Sequence, residues 1–303
     1  MKDEIRPVMV TIQCLAYNQK PYIRQCLEGF AMQKANFRFE AIVHDDASTD
    51  GTADIIREYA EKYPDIIKAI IETENQYTKN DGSLQRIMNE NSRGKYIALC
   101  EGDDYWIDPL KLQKQFDYLE EYPEINICCH SSKRIKDNTF VKDLSAQSHN
   151  CIIPIEDVIR KGGGMVATAS IMYRRKTKLC MYKKFPIDYS LQIDGSYPNG
   201  MLYLTDIMCV YRLSAQGSWS LTIKGDYEKQ NAFRNKIIEA LVYFDNETNK
   251  LYDKMVIKTI KVLKFKNLLA ANDRGKLMRW DNLGVFLSMS LKEQIKIILQ
   301  FII

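Results

Sequence analysis

Along the first 122 residues, short dense apolar runs alternate with longer amphipathic stretches, a rhythm that predicts strand–helix units. The run VMVTIQC over 8–14 has β character; the turn-like AYNQKPY follows, and apolar positions then recur at helical spacing over 22–32. The unit repeats. FEAIVH over 39–44 reads as a buried strand, Ser48 or Thr49 as the cap of a helix reaching Tyr59 and Tyr63, and 66–71 as a third strand. A helix over 82–91, the strand YIALC over 96–100, and a helix that opens near Pro109 and runs to about Tyr122 complete the series. Strands alternating with helices of this length call for right-handed crossovers and a mainly parallel sheet with helices on both faces.

Beyond Pro123 the rhythm loosens. INICCHSS reads as another strand, 137–150 as a polar loop, KGGGMV as a flexible turn before a strand ATASIMY, and 201–211 as strand, turn, strand. From about Asp226, helix-compatible stretches such as KIIEALVYF and MVIKTIKVLKFKNLLAA take over. The expected organisation is an α/β domain over 1–223 and a helical C-terminal extension over 224–303. No internal repeat is visible, and no apolar run reaches the roughly 18 residues needed to span a bilayer.

Composition alters this reading little. With 46% hydrophobic and 27% charged residues, the chain is ordinary globular material, long enough for one large core or two modest ones. The start MKDEIRPVMV lacks the apolar stretch and small-residue cleavage site of a secretory signal, so folding in the cytoplasm is expected. Eight cysteines, Cys14, Cys26, Cys100, Cys128, Cys129, Cys151, Cys180 and Cys209, form no CxxC pair and read as reduced packing residues. The net charge of +4 is uneven: residues 221–303 carry 15 basic against 9 acidic side chains, and the remainder is slightly acidic. That layout is wrong for a front domain that binds nucleic acid.

In a parallel α/β sheet, ligands bind outside the carboxyl ends of the strands. Ala16, Tyr17 and Asn18 follow the first expected strand, Asp45 and Asp46 the second, and Glu101, Gly102, Asp103 and Asp104 the fourth, so three acidic or aromatic loops share one edge. Adjacent carboxylates repel and raise each other's pKa. Asp103 and Asp104 therefore invite a hard cation, Mg²⁺ or Mn²⁺, whose shell phosphate oxygens would fill. The competing reading is a turn whose aspartates cap the helix near Pro109.

The runs CLAYNQKPYIRQCLEGFAMQ, IVHDDASTDGT, GKYIALCEGDDYWIDPLKLQKQ and MCVYRLSAQGSWS, in that order over about 8–220, resemble family 2 glycosyltransferases with the GT-A fold, similar to enzymes of bacterial surface-polysaccharide synthesis. The resemblance implies an inverting, metal-assisted transfer from a nucleoside-diphosphate sugar, with UDP favoured, to a hydroxyl of a glycan or lipid-linked glycan. By the same resemblance, Tyr17, flanked by Ala16 and Asn18, stacks on a uracil-type base. Asp46 accepts a hydrogen bond from the base imide, with Asp45 in support. Asp103 is similar to the ribose-contacting acid of the DxD-type motif, itself also a metal candidate, and Asp104 to the metal ligand; Glu101 stands at the motif's first acid. Asp188, in FPIDYSLQI, lies about 23 residues before the Tyr211–Arg212 pair, where similar enzymes place the catalytic base. Ile187 occupies the usual glycine position, and Asp194 is the rival. Ser214 stands where related sequences often carry His, which leaves Arg212 as a structural or phosphate-facing cation.

Position and chemistry alone assign Asn75 and Lys79 to the pyrophosphate, and Trp106 to a sugar platform or to the core. His44, His130 and His149 lack ligand-spaced partners and read as packed residues. Two other functions compete: a nucleotidyltransferase, disfavoured because AYNQKPY is not a glycine-rich phosphate loop, and a non-catalytic carbohydrate-binding protein, disfavoured by the surviving aspartates. In the tail, Leu291, Ile295, Ile298 and Ile302 fall on one helical face near Lys292 and Lys296. That face either docks on a core or a second copy, or makes a peripheral contact with the inner surface of the cell membrane.

Overall fold

The computed structural model describes residues 7–175, 180–216, 218–223, 225–271, 274–277, 279–289, 291, 294, 295, 297 and 298. Contacts divide it into two compact units, one running to Thr222 and the other starting at Ile223.

The first apolar run becomes β1 (Val8–Ala16), with Val10, Ile12 and Cys14 fully buried. Such continuous burial is what a strand covered on both faces requires. Then come α1 (Lys20–Ala31), β2 (Arg38–Asp45), α2 (Thr52–Lys62), β3 (Ile67–Ile71), the single turn α3 (Gln76–Lys79), α4 (Ser83–Asn91) and β4 (Tyr96–Leu99). Strands β1, β2, β3 and β4 are mutually parallel, in spatial order β3-β2-β1-β4. The sheet then turns mixed: β5 (Tyr105–Trp106), α5 (Lys111–Glu121), β6 (Ile127–Lys136), β7 (Thr139–Leu144), β8 (Cys151–Ile153), α6 (Ile155–Lys161), β9 (Met172–Arg174), α7 (Cys180–Lys184), α8 (Asp188–Ser196), β10 (Met201–Arg212) and α9 (Trp219–Thr222). Strand β9 lies antiparallel between β4 and β6, so β6 and its parallel neighbour β10 again point the same way as β4. The carboxyl ends of β1, β2, β4, β6 and β10 therefore meet at one edge.

Four expectations fail, each for a local reason. Residues 137–150 are not all loop: Asp137 and Asn138 take left-handed φ of 49° and 60°, the paired conformation of a tight hairpin turn, and β7 returns along β6. Its side chains are all exposed or half-exposed, so no apolar alternation announced it. Residues 201–211 form part of one strand whose register slips between Leu204 and Cys209, so the apparent turn is an irregularity within pairing. The KGGGMV and ATASIMY runs fold as the end of α6, two short 3₁₀ turns at Gly163–Met165 and Thr168–Ser170, and only three strand residues. Ser48 and Thr49 do not cap α2, which starts after Gly51 at φ 93°.

In the second unit, α10 (Tyr227–Glu247) is capped by Asp226, whose carboxylate accepts the Lys229 N–H. Helices α11 (Asp253–Ala270), α12 (Arg274–Leu277) and α13 (Trp280–Leu287) follow, around a core of Phe265, Leu277, Val285, Met289 and Ile297. Of the tail face, Leu291, Ile295 and Ile298 are exposed, whereas Ile302, Lys292 and Lys296 lie outside the described residues. Among the described residues no helix is long and apolar enough to cross a membrane.

A buried acid ties the parallel block together. Glu40 on β2 accepts from Thr11 Oγ1 at 2.9 Å, from the Arg93 backbone N–H and side chain, and from Lys68 Nζ at 2.9 Å. Burial pushes its carboxyl up, but the Arg93 and Lys68 bonds prevail and hold it down to about 2. The folded pKa lies below the unfolded one of about 4.3, so the stabilisation is complete above that pH and disappears as pH falls towards 2. Glu40→Gln is expected to lose about 2 kcal/mol at pH 7, with the two proteins converging between about pH 4.5 and 2, in urea unfolding across that range.

Candidate active site

The site begins with a helix end that cannot satisfy itself. Gln19 precedes α1 without a side-chain cap, leaving the first N–H groups in need of acceptors. The neighbouring loop provides them: Ser48 Oγ accepts from Asn18 N–H at 2.8 Å, Thr52 Oγ1 from Gln19 N–H at 2.9 Å, and Asp50 Oδ2 from Lys20 N–H at 3.0 Å. In return, Asn18 Oδ1 accepts from Thr49 N–H at 2.9 Å, and Ala16 O from Asp46 N–H at 2.9 Å. Tyr17 projects from this double loop with 45% of its surface exposed, a free flat ring.

Asp46 is buried, and each of its oxygens accepts a backbone N–H, from Gln76 at 2.6 Å and Tyr77 at 3.1 Å, fastening the start of α3. Asp45 accepts from Ser48 N–H through Oδ2, while its buried Oδ1 has no partner. Asn75 caps α3 through Thr78 N–H at 2.9 Å and donates to Asp46 O at 3.2 Å; Lys79 pairs with Glu74 at 3.2 Å. The structure thus spends Asn75 on local architecture and Lys79 on an exposed ion pair.

After β4 the chain folds tightly against the end of β1, with Gly102 N–H bonded to Leu15 O at 2.9 Å. A Cβ on Gly102 would lie 2.3 Å from Gln19 Oε1 and 3.0 Å from Ile23 Cδ1, so a larger residue between the acids would have to displace the Gln19 side chain at the start of α1. Asp104 is sealed: Oδ1 accepts the Arg212 N–H at 2.8 Å, and Oδ2 is buried without a partner. Asp103 is less enclosed, and Glu101 opens into a recess of about 80 Å³. Burial raises the carboxyls of Glu101 and Asp104 well above the usual range; Asp188 and Asp103 push Glu101 further, Asp103 and Glu101 push Asp104 further. Neither acid serves as a helix cap, because α5 begins at Lys111 without a side-chain cap.

Asp188 opens α8 and faces Glu101 across that recess, with Oδ2 accepting from Thr168 Oγ1 at 2.7 Å. Its recessed position raises its pKa against the pull of Thr168. Close packing sets the helix, since a Cβ on Gly195 would fall 2.8 Å from Ile127. Asp194 lies outside the recess, accepting the Tyr182 N–H at 2.7 Å and so pinning α7. Thr168, Tyr182 and Gln13 line the recess and were not singled out from the sequence. Gln13 alone left a signal, a polar residue inside the first apolar run; it anchors α4 through Ser92 at 2.9 Å.

For two residues left with alternatives, the packing decides. Trp106 is no sugar platform: it is 2% exposed, donates to Ala169 O at 2.9 Å, packs edge-on against Phe30, and has Lys111 Nζ 4.0 Å from its ring centroid. Arg212 lies between Tyr22 and Tyr105, bonded to Gln25 and to Asn138, so it organises the site rather than facing a phosphate. The histidines are unexceptional: His44 is buried 3.4 Å from Glu72, His130 contacts Ser131 O at 2.7 Å, and His149 is exposed beside Ser148. The described cysteines are free thiols, six of the seven buried; the side chain of Cys180 lies outside the described residues.

The family model described as Glycosyl transferase family 2 matches residues 12–180. An uncharacterised protein of Mycobacterium tuberculosis H37Rv is 36% identical over 213 residues, covering 69% of this chain, and the chain spans 60% of that relative's length. The Escherichia coli protein named UDP-Glc:alpha-D-GlcNAc-diphosphoundecaprenol beta-1,3-glucosyltransferase WfaP is 32% identical over 112 residues, 37% of this chain and 41% of its own. Among solved structures, S. aureus TarS 1–349 in complex with UDP-GlcNAc gives a TM-score of 0.60 at 17% identity, covering 97% of this chain and 79% of that one. The mannosyltransferase PcManGT of Pyrobaculum calidifontis, in complex with GDP-Man and Mn²⁺, gives 0.57 at 15%, covering 98% and 85%. The fold is therefore GT-A-like, with a helical C-terminal region.

Asp194 supplies a check on which aspartate belongs to the site. Burial raises its folded pKa to about 7, above the unfolded value, so stability is greatest at low pH and is lost as pH rises through 7. Asp194→Asn keeps an acceptor for Tyr182 N–H and removes that loss. It should be more stable than the parent at pH 8 by about 1–3 kcal/mol, allowing for partial exposure, and equal to it near pH 4, in urea unfolding. Greater stability of the parent at pH 8 would mean that the charged form is the better anchor.

Proposed function

The chain belongs to glycosyl transferase family 2, and from that premise we propose that it transfers a sugar from a nucleoside-diphosphate sugar, UDP-linked by preference, to a hydroxyl of a glycan or lipid-linked glycan in bacterial surface-polysaccharide synthesis. The observation that carries the reading is the pair Glu101 and Asp188, held across one recess beside the Asp103–Asp104 turn at the carboxyl edge of the sheet. TarS and PcManGT, which share the fold, were solved with nucleotide sugars, which supports a donor of that class.

Tyr17 stacks on the base, Asp46 accepts from its imide through the lone pairs that its two backbone N–H bonds leave free, and Asp45, held by Ser48 N–H, supports it. Ala16 and Asn18 hold the loop against which the nucleoside lies. Asp103, the less enclosed acid, faces the ribose and diphosphate. Among the described residues no three ligating side chains converge, but a hard cation that brings its own phosphate oxygens needs only one or two carboxylates. Asp103 and the unpartnered oxygen of Asp104 fit such a cation, Mg²⁺ or Mn²⁺, which when bound would neutralise charge on the diphosphate.

Asp188 acts as general base. The acceptor oxygen attacks the anomeric carbon from the face opposite the nucleotide, its proton passes to Asp188, the bond to the diphosphate oxygen breaks, and the nucleoside diphosphate leaves with that electron pair. Thr168 fixes the carboxylate through Oδ2, which leaves Oδ1, on a residue open to solvent and to an acceptor, for the proton.

Asp188→Asn should leave donor affinity nearly unchanged while lowering turnover at least about a hundredfold; an equal loss at Asp194 alone would move the role there. Binding of UDP, followed by calorimetry, should require Mn²⁺ or Mg²⁺, because an uncompensated diphosphate meets like charge, and should weaken by more than about tenfold in Asp103→Asn, which removes a ligand of the cation. Tight UDP binding in excess chelator would remove the metal from the scheme.

A further inference from the structure

The second unit carries a surface that sugar transfer does not use. On α11, Lys254, Lys258 and Lys261 are spaced four and three residues apart, which puts them on one helical face. Like charges at this spacing oppose each other, and among the described residues none of the three has a carboxylate partner. They line a groove of about 370 Å³ shared with α13, with Ile257 and Val285 among its walls and Gly284 leaving it open. An apolar surface lies on the same unit: Leu283 and Leu287 on α13, then Leu291, Ile295 and Ile298, are all more than two-fifths exposed, with Leu291 at 72%. Positions 291, 295 and 298 face outward, while Met289 and Ile297 supply the core, so these side chains are not what holds the unit together.

Unpaired cations around a groove, beside large aliphatic side chains left in water, match the chemistry of a surface with phosphate at one depth and hydrocarbon just below it. We propose that this face docks on an anionic lipid bilayer, the groove of Lys254, Lys258 and Lys261 seating headgroup phosphates while Leu287, Leu291, Ile295 and Ile298 enter the acyl boundary. A second copy of the chain would satisfy the leucines but bring the same lysines with it, opposing like charges. The proposal stands independently of the transfer reading, because it requires neither donor nor acceptor.

The test is co-sedimentation of the full chain with vesicles of phosphatidylcholine alone and of phosphatidylcholine mixed with phosphatidylglycerol. Wild type should pellet only with the anionic vesicles, and less so as salt is raised. Lys254→Gln/Lys258→Gln/Lys261→Gln should weaken partitioning by about a hundredfold, the factor expected of three lysines at an anionic surface, while Lys→Arg at all three positions retains it. Leu287→Ser/Leu291→Ser should weaken binding at every salt concentration. UDP affinity and the helical circular dichroism of each variant should stay at wild-type values, which separates failure here from failure of the donor site. Wild type remaining in the supernatant, equal binding to neutral vesicles, or undiminished binding by the lysine variant would overturn the proposal. So would a dimer that the leucine variant dissociates while vesicle binding persists.

Discussion

The uncapped start of α1 is the constraint on which the site depends. Three N–H groups, of Asn18, Gln19 and Lys20, find their acceptors on Ser48, Thr52 and Asp50, in a loop about thirty residues away in sequence but adjacent in the sheet. Because β1 and β2 are parallel neighbours, their carboxyl ends arrive together, and each loop completes the other's hydrogen bonding. The position of Tyr17, the fit of Gly102 under Gln19, and the contacts of Arg212 with Tyr22 and Gln25 all follow from where α1 begins. The run DDASTDGT is thus first a structural clasp, and the loop that follows β1 is the thing it clasps.

Against that rigid frame the protein gathers negative charge. Glu101, Asp103 and Asp104 all have raised pKa values, burial being the largest cause for each, and Asp188 stands exposed beside them. A fold would not retain such a cluster for stability, since burying unpaired carboxylates is costly. The Arg212 backbone N–H relieves one oxygen of Asp104, and its guanidinium, held between two tyrosine rings, pulls Asp103 and Asp104 down without offsetting their burial. What remains unsatisfied is a demand for a cation or for hydrogen-bond donors, which the proposed sugar nucleotide and its counter-ion would meet together.

Much of this was legible in the chain because its signals are local. Dense apolar runs located β1, β2, β3 and β4, and the rule that ligands gather at strand carboxyl ends selected Tyr17, Asp46 and the Glu101–Asp104 turn before any geometry was known. What escaped was set by tertiary context. Asp46 secures α3 with both oxygens, a role no sequence spacing could disclose. Trp106 stands two residues after Asp104, yet strand pairing with Cys209 and the approach of Gly29 on α1 turn it inward. Thr168 reaches Asp188 only because a supposed strand is a 3₁₀ turn. The β7 strand was hidden because its polar residues alternate with nothing buried.

That strand also bears on how the molecule keeps to itself. Among the described residues strand β7 pairs only with β6, so its far side offers unpaired backbone groups of the kind that recruit strands from other molecules. Its pairing skips Val141 between Phe140 and Lys142, a bulge that breaks the regular spacing an incoming strand would have to match. Lys142 stands directly across from Arg134, and Lys136 is exposed near the turn, so a second copy approaching edge to edge would bring cation against cation. The hairpin thereby discourages intermolecular β-pairing, an aggregation safeguard written into the same residues that made the segment look like a loop.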